Sequence, residues 1–538
     1  MYDLIIRNGE IIDGTGKGSY FSDIGIKGED IAEISPCINS DSIKVIDAKG
    51  YIVCPGFIDI DSHSDFSLYA NPKAESKVRQ GVTTEVVGQG GRSLGPINEK
   101  KLPELKQYTK SYVQNKDQKN YWNWESQHGF IDRLEENRIS VNIASLVGYG
   151  SIRIAVMGFS EEEPTKIQLE QMSSLLKNEL ENGIHGFSLG LDNSPDCLAS
   201  LDELVEMAKI VKSYNGICSI HMRDEGVYLF ESVTEAIEIC RLSGVKLQIS
   251  HLKAAHPQNW GNVKKVIQLI NKAKQSGLDM HYDVYPYVAY ESVLNDVLPP
   301  WLRAYSPWKI VEFLKDETTR KKILQEMLDL NSTWGNPLIG SSWDQITISS
   351  LKSTQNKSLI GLNITDISLI LNKTPHDTVI DLLIEEEGVI KIIFAAMIET
   401  DLEEIMKQSM TIFASDGLAV SPDGNYRDVK VHPRYYGTFP RVLGRYVREK
   451  QIISIVDAIH NMTLLPAIKM NISNRGVIEK GYKADITIFD KDKIIDRATF
   501  QEPHQYPDGI HSVIVNGQIV VIDNMHTQAM PGSIIRRV

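Results

Sequence analysis

The sequence predicts an α/β fold: a closed (β/α)8 TIM-like barrel with a small β-sandwich domain formed by both chain termini. Three observations carry this. Short apolar strands alternate with amphipathic helices through the middle of the chain, the pattern of βα units on a parallel sheet. The rhythm yields eight such strands, which favours a closed barrel over an open sheet. The first ~55 and last ~60 residues have another texture, short strands cut by Gly, Asn and Asp turns.

At the start of the chain, Asp3–Arg7, Glu10–Asp13, Asp23–Lys27, Asp30–Ile34 and Lys44–Asp47 read as short strands between turns such as Asn8-Gly9. Ala484–Phe489, and Val513–Val515 running into Asn516-Gly517, repeat the texture at the other end. Residues 1–55 and 476–538 therefore predict one small β domain, and 56–475 the barrel. The barrel strands are read at Gly56–Ser62, Val82–Gly88, Val141–Val147, Gly186–Gly190, Cys218–Met222, Lys246–His251, Met280–Tyr285 and Thr411–Asp416. Thr165–Glu181, Ser200–Tyr214 and Leu229–Leu242 read as helices between them. A long excursion, set at about 288–350, follows the seventh strand. It holds Pro299-Pro300-Trp301 and a helix across Pro307–Leu330, with extra strands suggested at Leu338–Gly340 and Ile392–Ala395. An insertion of that length on a barrel's C-terminal face shapes or covers the active site.

The chain has 538 residues, 42% of them hydrophobic, and a net charge of −13. That acidity argues against a nucleic-acid partner. No run approaches the ~18 apolar residues of a membrane span. The start, Met1-Tyr2-Asp3-Leu4, puts an acid where a secretory signal needs an apolar stretch. Five cysteines form no CxxC pair, a usage that suits a reducing compartment. The expectation is a cytoplasmic protein acting on a small molecule, with no nucleic acid and no membrane as partner.

Position along the strands carries the functional signal. His63 lies just past the first strand, His221 ends the fifth, His251 the sixth and Asp416 the eighth. Barrel enzymes gather their chemistry at the C-terminal ends of strands, so these side chains should converge. Imidazoles and carboxylates meeting at one point can bind a divalent cation such as zinc. A single histidine is more often a satisfied polar residue. Four polar residues at equivalent strand ends predict a metal site. Gly88-Gln89-Gly90-Gly91 lacks a following GK[ST] and reads as a tight strand-to-loop turn. Asp65, His256 and His281 read as satisfied polar residues, Met397–Thr400 as a loop, and Trp301 and Trp308 as packing.

Pro55-Gly56-Phe57-Ile58-Asp59-Ile60-Asp61-Ser62-His63 and Gly81-Val82-Thr83-Thr84-Glu85-Val86-Val87-Gly88 resemble the first two strands of the amidohydrolase superfamily. His221-Met222-Arg223-Asp224-Glu225-Gly226, Ile249-Ser250-His251-Leu252-Lys253 and Asp283-Val284-Tyr285-Pro286-Tyr287 narrow the resemblance to the N-acyl-D-amino-acid deacylases. So do Ala414-Ser415-Asp416-Gly417 and the stretch from His432-Pro433-Arg434 to Arg445-Tyr446. Gly481-Tyr482-Lys483-Ala484-Asp485 and Asp496-Arg497-Ala498-Thr499-Phe500 extend it to the tail. Three positions depart from the family pattern. Its first strand-1 histidine falls on Asp61, its strand-2 metal-binding cysteine on Gly90, and a histidine near the end of strand 3 on Tyr149.

The resemblance implies a metal-dependent hydrolase that cleaves the amide of an N-acyl-D-amino acid or a related small amide. With no side chain at Gly90, one zinc ion, or another divalent metal, is expected rather than two. Two arrangements stay open. In one, His221 and His251 are the main ligands; in the other, Asp61, His63, His221 and Asp416 bind the ion, with His251 beside the reacting carbonyl. Asp416, matching the family's strand-8 aspartate, would carry the proton from water to the leaving amine. Lys253, Arg223 and Arg434 are candidates to hold the substrate carboxylate, with Tyr285 adding a hydroxyl. A cyclic amidase is a second reading, disfavoured because Gly186–Asn193 offers no metal-bridging lysine. A third is a relative that lost hydrolysis with the strand-2 ligand and serves another reaction or binding.

Overall fold

The computed structural model describes residues 1–113, 122–329 and 334–537. Eight parallel strands form the barrel: β1 (Phe57–Asp59), β2 (Val82–Val87), β3 (Asn142–Ser145 and Val147–Gly148), β4 (Gly186–Gly190), β5 (Ile217–His221), β6 (Lys246–Ile249), β7 (Met280–Val284) and β8 (Thr411–Phe413). Each pairs in parallel with the next, from Asp59 opposite Glu85 round to Val284 opposite Phe413. β3 is interrupted at Leu146, its first part pairing with β2 and its second with β4. The ring closes just beyond the ends of β1 and β8. There Ser62 and Gly417 form a parallel bridge, and the Asp416 amide donates to the Asp61 carbonyl at 2.9 Å. The strands are buried almost throughout, as parallel strands covered by helices must be.

The expected helices form at Lys166–Glu181, Leu201–Ser213 and Leu229–Ser243. Thr165 and Gln168 close a capping box on the first, and Ser200 accepts from the Glu203 amide on the second. Each such cap is worth about 1 kcal/mol and fixes where the helix starts relative to the strand before it.

Both chain ends build one nine-stranded sheet. Its N-terminal strands, Tyr2–Ile11 through Ile52–Pro55, join the C-terminal strands Ile486–Phe489, Ile510–Val515, Gln518–Ile522 and Met525–His526. The seam is the antiparallel pairing of Ile52–Pro55 with Ile486–Phe489. Residues from both ends, including Leu4, Ile24, Val53, Ile486 and Ile514, share one apolar cluster.

The excursion after β7 is longer than the sequence suggested. It runs past residue 350 to Ala396, because Tyr290–Val293 pairs antiparallel with Ile390–Phe394, which also pairs with Ile346–Leu351. This three-stranded sheet and its helices surround their own apolar core of Leu294, Leu314, Ile348, Val379 and Ile392. The long helix read across Pro307–Leu330 is two helices, Pro307–Lys315 and Glu317–Leu328. Asp316 is extended between them, and its carboxylate accepts from the Thr319 amide to cap the second. Leu338–Gly340 is a turn rather than a strand.

Candidate active site

The barrel's closing rung places the first group of polar residues. Asp61 and His63 follow β1 and Asp416 follows β8. The Asp416–Asp61 backbone bond and a 3.1 Å bond from the His63 amide to the Gly417 carbonyl draw them together. His63 Nε2 lies 3.1 Å from Asp416 Oδ1. His221, the last residue of β5, brings its Nε2 to 3.8 Å from Asp61 Oδ2, and its Nδ1 lies 3.0 Å from His251 Nε2. Two sets of donor atoms result, Asp61–His221–His251 and Asp61–His63–Asp416, each within 4.8 Å of one another. Asp61 belongs to both. It is 0% exposed, yet among the described residues both carboxylate oxygens lack a hydrogen-bond partner, as does His221 Nε2. Buried polar atoms are nearly always paired. Three orphans facing one point therefore fit a divalent cation that accepts N and O ligands.

Charge explains the same point. Burial, reinforced by Asp283, Asp416 and Asp59, pushes the Asp61 carboxyl well above the usual carboxylate range, a shift that a bound cation opposes. Burial drives the His221 imidazole well down, and His63 down, leaving neutral rings able to donate a lone pair. Burial would raise Asp416 too, but Arg434, with Nη1 2.8 Å from Asp416 Oδ2, and His63 outweigh it and hold the carboxyl well below its ordinary range.

His251 and Asp416 have φ of 35° and 47°, left-handed values that cost of order 1–3 kcal/mol for residues with a side chain. Both are held there by specific bonds. The His251 amide donates to Asp283 Oδ1 at 2.7 Å, and the Asp416 amide to Asp61 as above. On its other edge, His251 Nδ1 lies 2.8 Å from Glu225 Oε1, which is also bound by Lys253 Nζ at 2.6 Å.

Beneath the site is a group the sequence did not reveal. Lys77, 0% exposed, reaches Asp59 at 2.8 Å, Glu85 at 3.1 Å, Ser415 Oγ at 2.7 Å and the Gly417 carbonyl at 3.0 Å. One ammonium thus ties β1, β2 and the segment after β8 at the seam that carries Asp61, His63 and Asp416.

The Gly88–Gly91 turn behaves as read. Gly90 has φ +61°, and a Cβ built on it would lie 3.1 Å from His221 Cε1 and 3.3 Å from Nδ1. The position therefore faces the donor cluster, and glycine leaves that side of it bare. Tyr149 is buried away from the cluster, its hydroxyl bonded to Glu203.

The pocket above these groups is lined by His63, His221, His251, Lys253, Tyr285, Asp416 and Arg434, and on the lobe side by Tyr290, Glu291, Arg303 and Lys391. Tyr285 Oη is buried without a partner, so it has a hydroxyl to offer. Arg434 stacks over the Tyr285 ring at 4.6 Å while bound to Asp416. Arg223 is offered by the sequence, with Lys253 and Arg434, to hold the substrate carboxylate. It stands at the rim with Nε and Nη2 on Glu235, at 3.1 and 2.9 Å, and Nη1 on the Cys197 carbonyl. His256, read as a satisfied polar residue, lines the pocket with φ 69° and an unpartnered Nδ1. Lys77, Lys391 and Arg92 were missed. Only Arg92, directly after the second strand's turn, had a sequence position that could have placed it at the barrel mouth.

No helix among the described residues is long and apolar enough to cross a membrane. A model of the Amidohydrolase family matches residues 409–521. An N-acyl-D-glutamate deacylase of Alcaligenes xylosoxydans xylosoxydans is 30% identical over 535 residues, 99% of this chain and 96% of that protein. The crystal structure of N-acyl-D-glutamate deacylase from Bordetella bronchiseptica, with zinc and a phosphonate mimic of the tetrahedral intermediate, superposes with a TM-score of 0.82. It is 29% identical and covers 99% of each chain. A D-aminoacylase with a binuclear metal centre, described for one-metal activation and second-metal attenuation, also gives a TM-score of 0.82 and 29% identity, over 100% of both chains. With these matches spanning the barrel, the lobe and both termini, this chain belongs to the N-acyl-D-amino-acid deacylase family of the amidohydrolases.

Proposed function

We propose that this protein is a metal-dependent hydrolase that cleaves the amide bond of an N-acyl-D-amino acid or a closely related small amide. The observation that carries the reading is the set of buried, unpartnered donor atoms on Asp61 and His221, beside an ionised Asp416 at the floor of the pocket. Asp61, His221 and His251 would hold one zinc ion, with His63 and Asp416 completing a second donor set around the shared Asp61. When bound, a divalent cation supplies Lewis acidity, making water easier to deprotonate and polarising a carbonyl.

The chain's own residues supply the rest. Asp416, held ionised by Arg434 and His63, accepts a proton from water as its oxygen adds to the amide carbon. It then returns that proton to the amine nitrogen as the C–N bond breaks. The new carboxylic acid gives its remaining proton to the amine, so the products leave as a carboxylate and an ammonium. The Tyr285 hydroxyl and the Lys253 ammonium, both facing the pocket, hold the amino-acid carboxylate. Glu225 keeps Lys253 and His251 in register.

The test is zinc analysis of the purified protein paired with hydrolysis of matched N-acyl-D- and N-acyl-L-amino acids. The expected result is bound zinc, chelator-sensitive turnover and preference for the D series. Stable folded protein that takes up no divalent metal and hydrolyses neither series would overturn the reading.

A further inference from the structure

His256 has no part in the chemistry above, yet its backbone is held in an unfavourable conformation at the edge of the pocket. It follows Lys253 by three residues in the loop after β6, with φ 69° and ψ 145°. Glycine adopts that combination freely, whereas a Cβ disfavours it. Specific contacts keep it there. The His256 amide donates to the Ala396 carbonyl at 2.7 Å, and the same carbonyl accepts from Trp260 Nε1 at 3.1 Å. The imidazole packs against two rings of the lobe, Phe394 with centroids 5.1 Å apart and Tyr290 edge-on at 6.2 Å. Strain of this kind persists only where the surroundings fix it, and it gathers at ligand sites.

The ring held in this way forms part of the pocket wall and is 8% exposed. Its Nδ1 is buried and, among the described residues, has no hydrogen-bond partner. The opposite edge looks into the pocket. A Cβ built on Gly226, itself a pocket residue, would lie 3.4 Å from His256 Cδ2, the atom bonded to Nε2. Burial, with Arg303 nearby, drives the imidazole down to about 4, so at neutral pH the ring is uncharged and carries one proton. On Nδ1 that proton would be buried with nothing to accept it; on Nε2 it is offered to whatever fills the pocket. Lys253, in the same loop, turns the other way, its Nζ 5.8 Å from the centre of the Tyr285 ring. One loop thus presents a cation for a carboxylate and, beside it, a neutral donor for an uncharged oxygen.

We propose that His256 is a specificity-determining residue whose Nε2–H donates to an uncharged oxygen of the substrate, a carboxamide or hydroxyl carried by the amino-acid side chain or by the acyl group. This rests on the hydrolase reading above and adds a substrate class to it.

Two pairs of amides separate the sources: N-acetyl-D-glutamine against N-acetyl-D-methionine, and N-glycolyl-D-leucine against N-propionyl-D-leucine. In one pair the oxygen-bearing member is expected to lose about 10-fold in kcat/KM relative to its partner when His256 is replaced. His256→Phe keeps an aromatic ring between Phe394 and Tyr290 and removes both nitrogens; His256→Gly suits the backbone and removes the ring. Both are checked for native unfolding temperature, and either one that folds decides the matter. Variants that slow both members of each pair in parallel would overturn the contact, because a merely structural ring makes no such distinction. N-acetyl-D-glutamate tests the charge: a larger loss for this acid than for the glutamine compound in His256→Phe would overturn the uncharged class. A calorimetric titration of the zinc-supplemented protein with D-glutamine, D-methionine, glycolate and propionate gives a readout without turnover. D-glutamine or glycolate is expected to bind about 10-fold more weakly to His256→Phe, with its apolar counterpart unchanged. Binding that ignores His256, or no binding of any of the four, counts against the contact. His256-dependent binding with no hydrolysis of any amide leaves the contact standing and removes the hydrolase reading.

Discussion

The barrel wall and the lobe wall of the same pocket hold their charged side chains in different ways. On the barrel side, Asp61, His63 and Asp416 stand on the rung that closes the ring, and their backbones bond to one another or to the adjoining glycine. Lys77 fastens the same rung from below. On the lobe side, Glu291, Lys391 and Arg303 project from a unit with its own apolar core, and Glu291 and Lys391 are tied to each other at 3.0 Å. The contrast separates two jobs. The barrel-side groups sit where displacement would open the ring, whereas the lobe-side groups sit where a side chain can change without touching it.

Four measurements press on that contrast, taken from the largest expected effect to the smallest. Asp416→Asn should fold with an unchanged far-ultraviolet spectrum and lose at least about 10³-fold in kcat, the scale of a lost general base in a dry site. Near-normal turnover would remove Asp416 from the proton path. Lys77→Met leaves Asp59 and Glu85 buried without their cation and should cost about 3–5 kcal/mol in a urea titration. If it costs less than a surface substitution, the fastening role of Lys77 is wrong.

Third in size is a pH effect from the barrel frame alone. His185, 2% exposed just before β4, is driven down to about 4 by burial. The unfolded chain takes up this proton near pH 6.5 and the native chain only near 4. Stability from this group is therefore complete above about 6.5 and is lost as pH falls toward 4, reaching about 2 kcal/mol of loss at pH 5. His185→Gln should flatten the fall in unfolding temperature between pH 7 and 5; an unchanged slope would refute the assignment. The smallest effects compare two predicted substrate contacts. Tyr285→Phe, which removes an unpartnered hydroxyl, should lower kcat/KM about 10-fold. Arg223→Met, whose donors are already spent on Glu235 and Cys197, should change it by less than about 3-fold. The reverse order would put the carboxylate contact at the rim.

Much of the frame was legible because its signals are local. Apolar runs mark the strands, and a polar residue at the end of a run marks the mouth of the barrel, as His221 and Asp416 do. The strand read at Ile392–Ala395 forms at Ile390–Phe394, but the lobe was cut short at 350 because that strand's pairing with Tyr290–Val293, about a hundred positions away, is what makes it part of the lobe. Lys77 sits in the short helix Glu75–Val78 and reads as an ordinary exposed lysine; only the closed ring turns it inward. Arg223 shows the opposite pattern. Its place beside His221 was legible, but its partner Glu235 lies on the following helix and claims it. Gly90 was read as the loss of a ligand. The structure adds that its backbone still abuts His221, while Asp61 is the carboxylate common to both donor sets.

The rung between Asp416 and Asp61 has a consequence for how activity is acquired. The residues it joins are 355 apart in sequence, so the chain must be made past residue 416 of its 538 and brought into place before the two carboxylates meet. A nascent chain that ends before Asp416, however rich in native strands, lacks one of the two carboxylates and so has no such centre. Activity is thus acquired only late in synthesis, once the eighth strand has closed on the first.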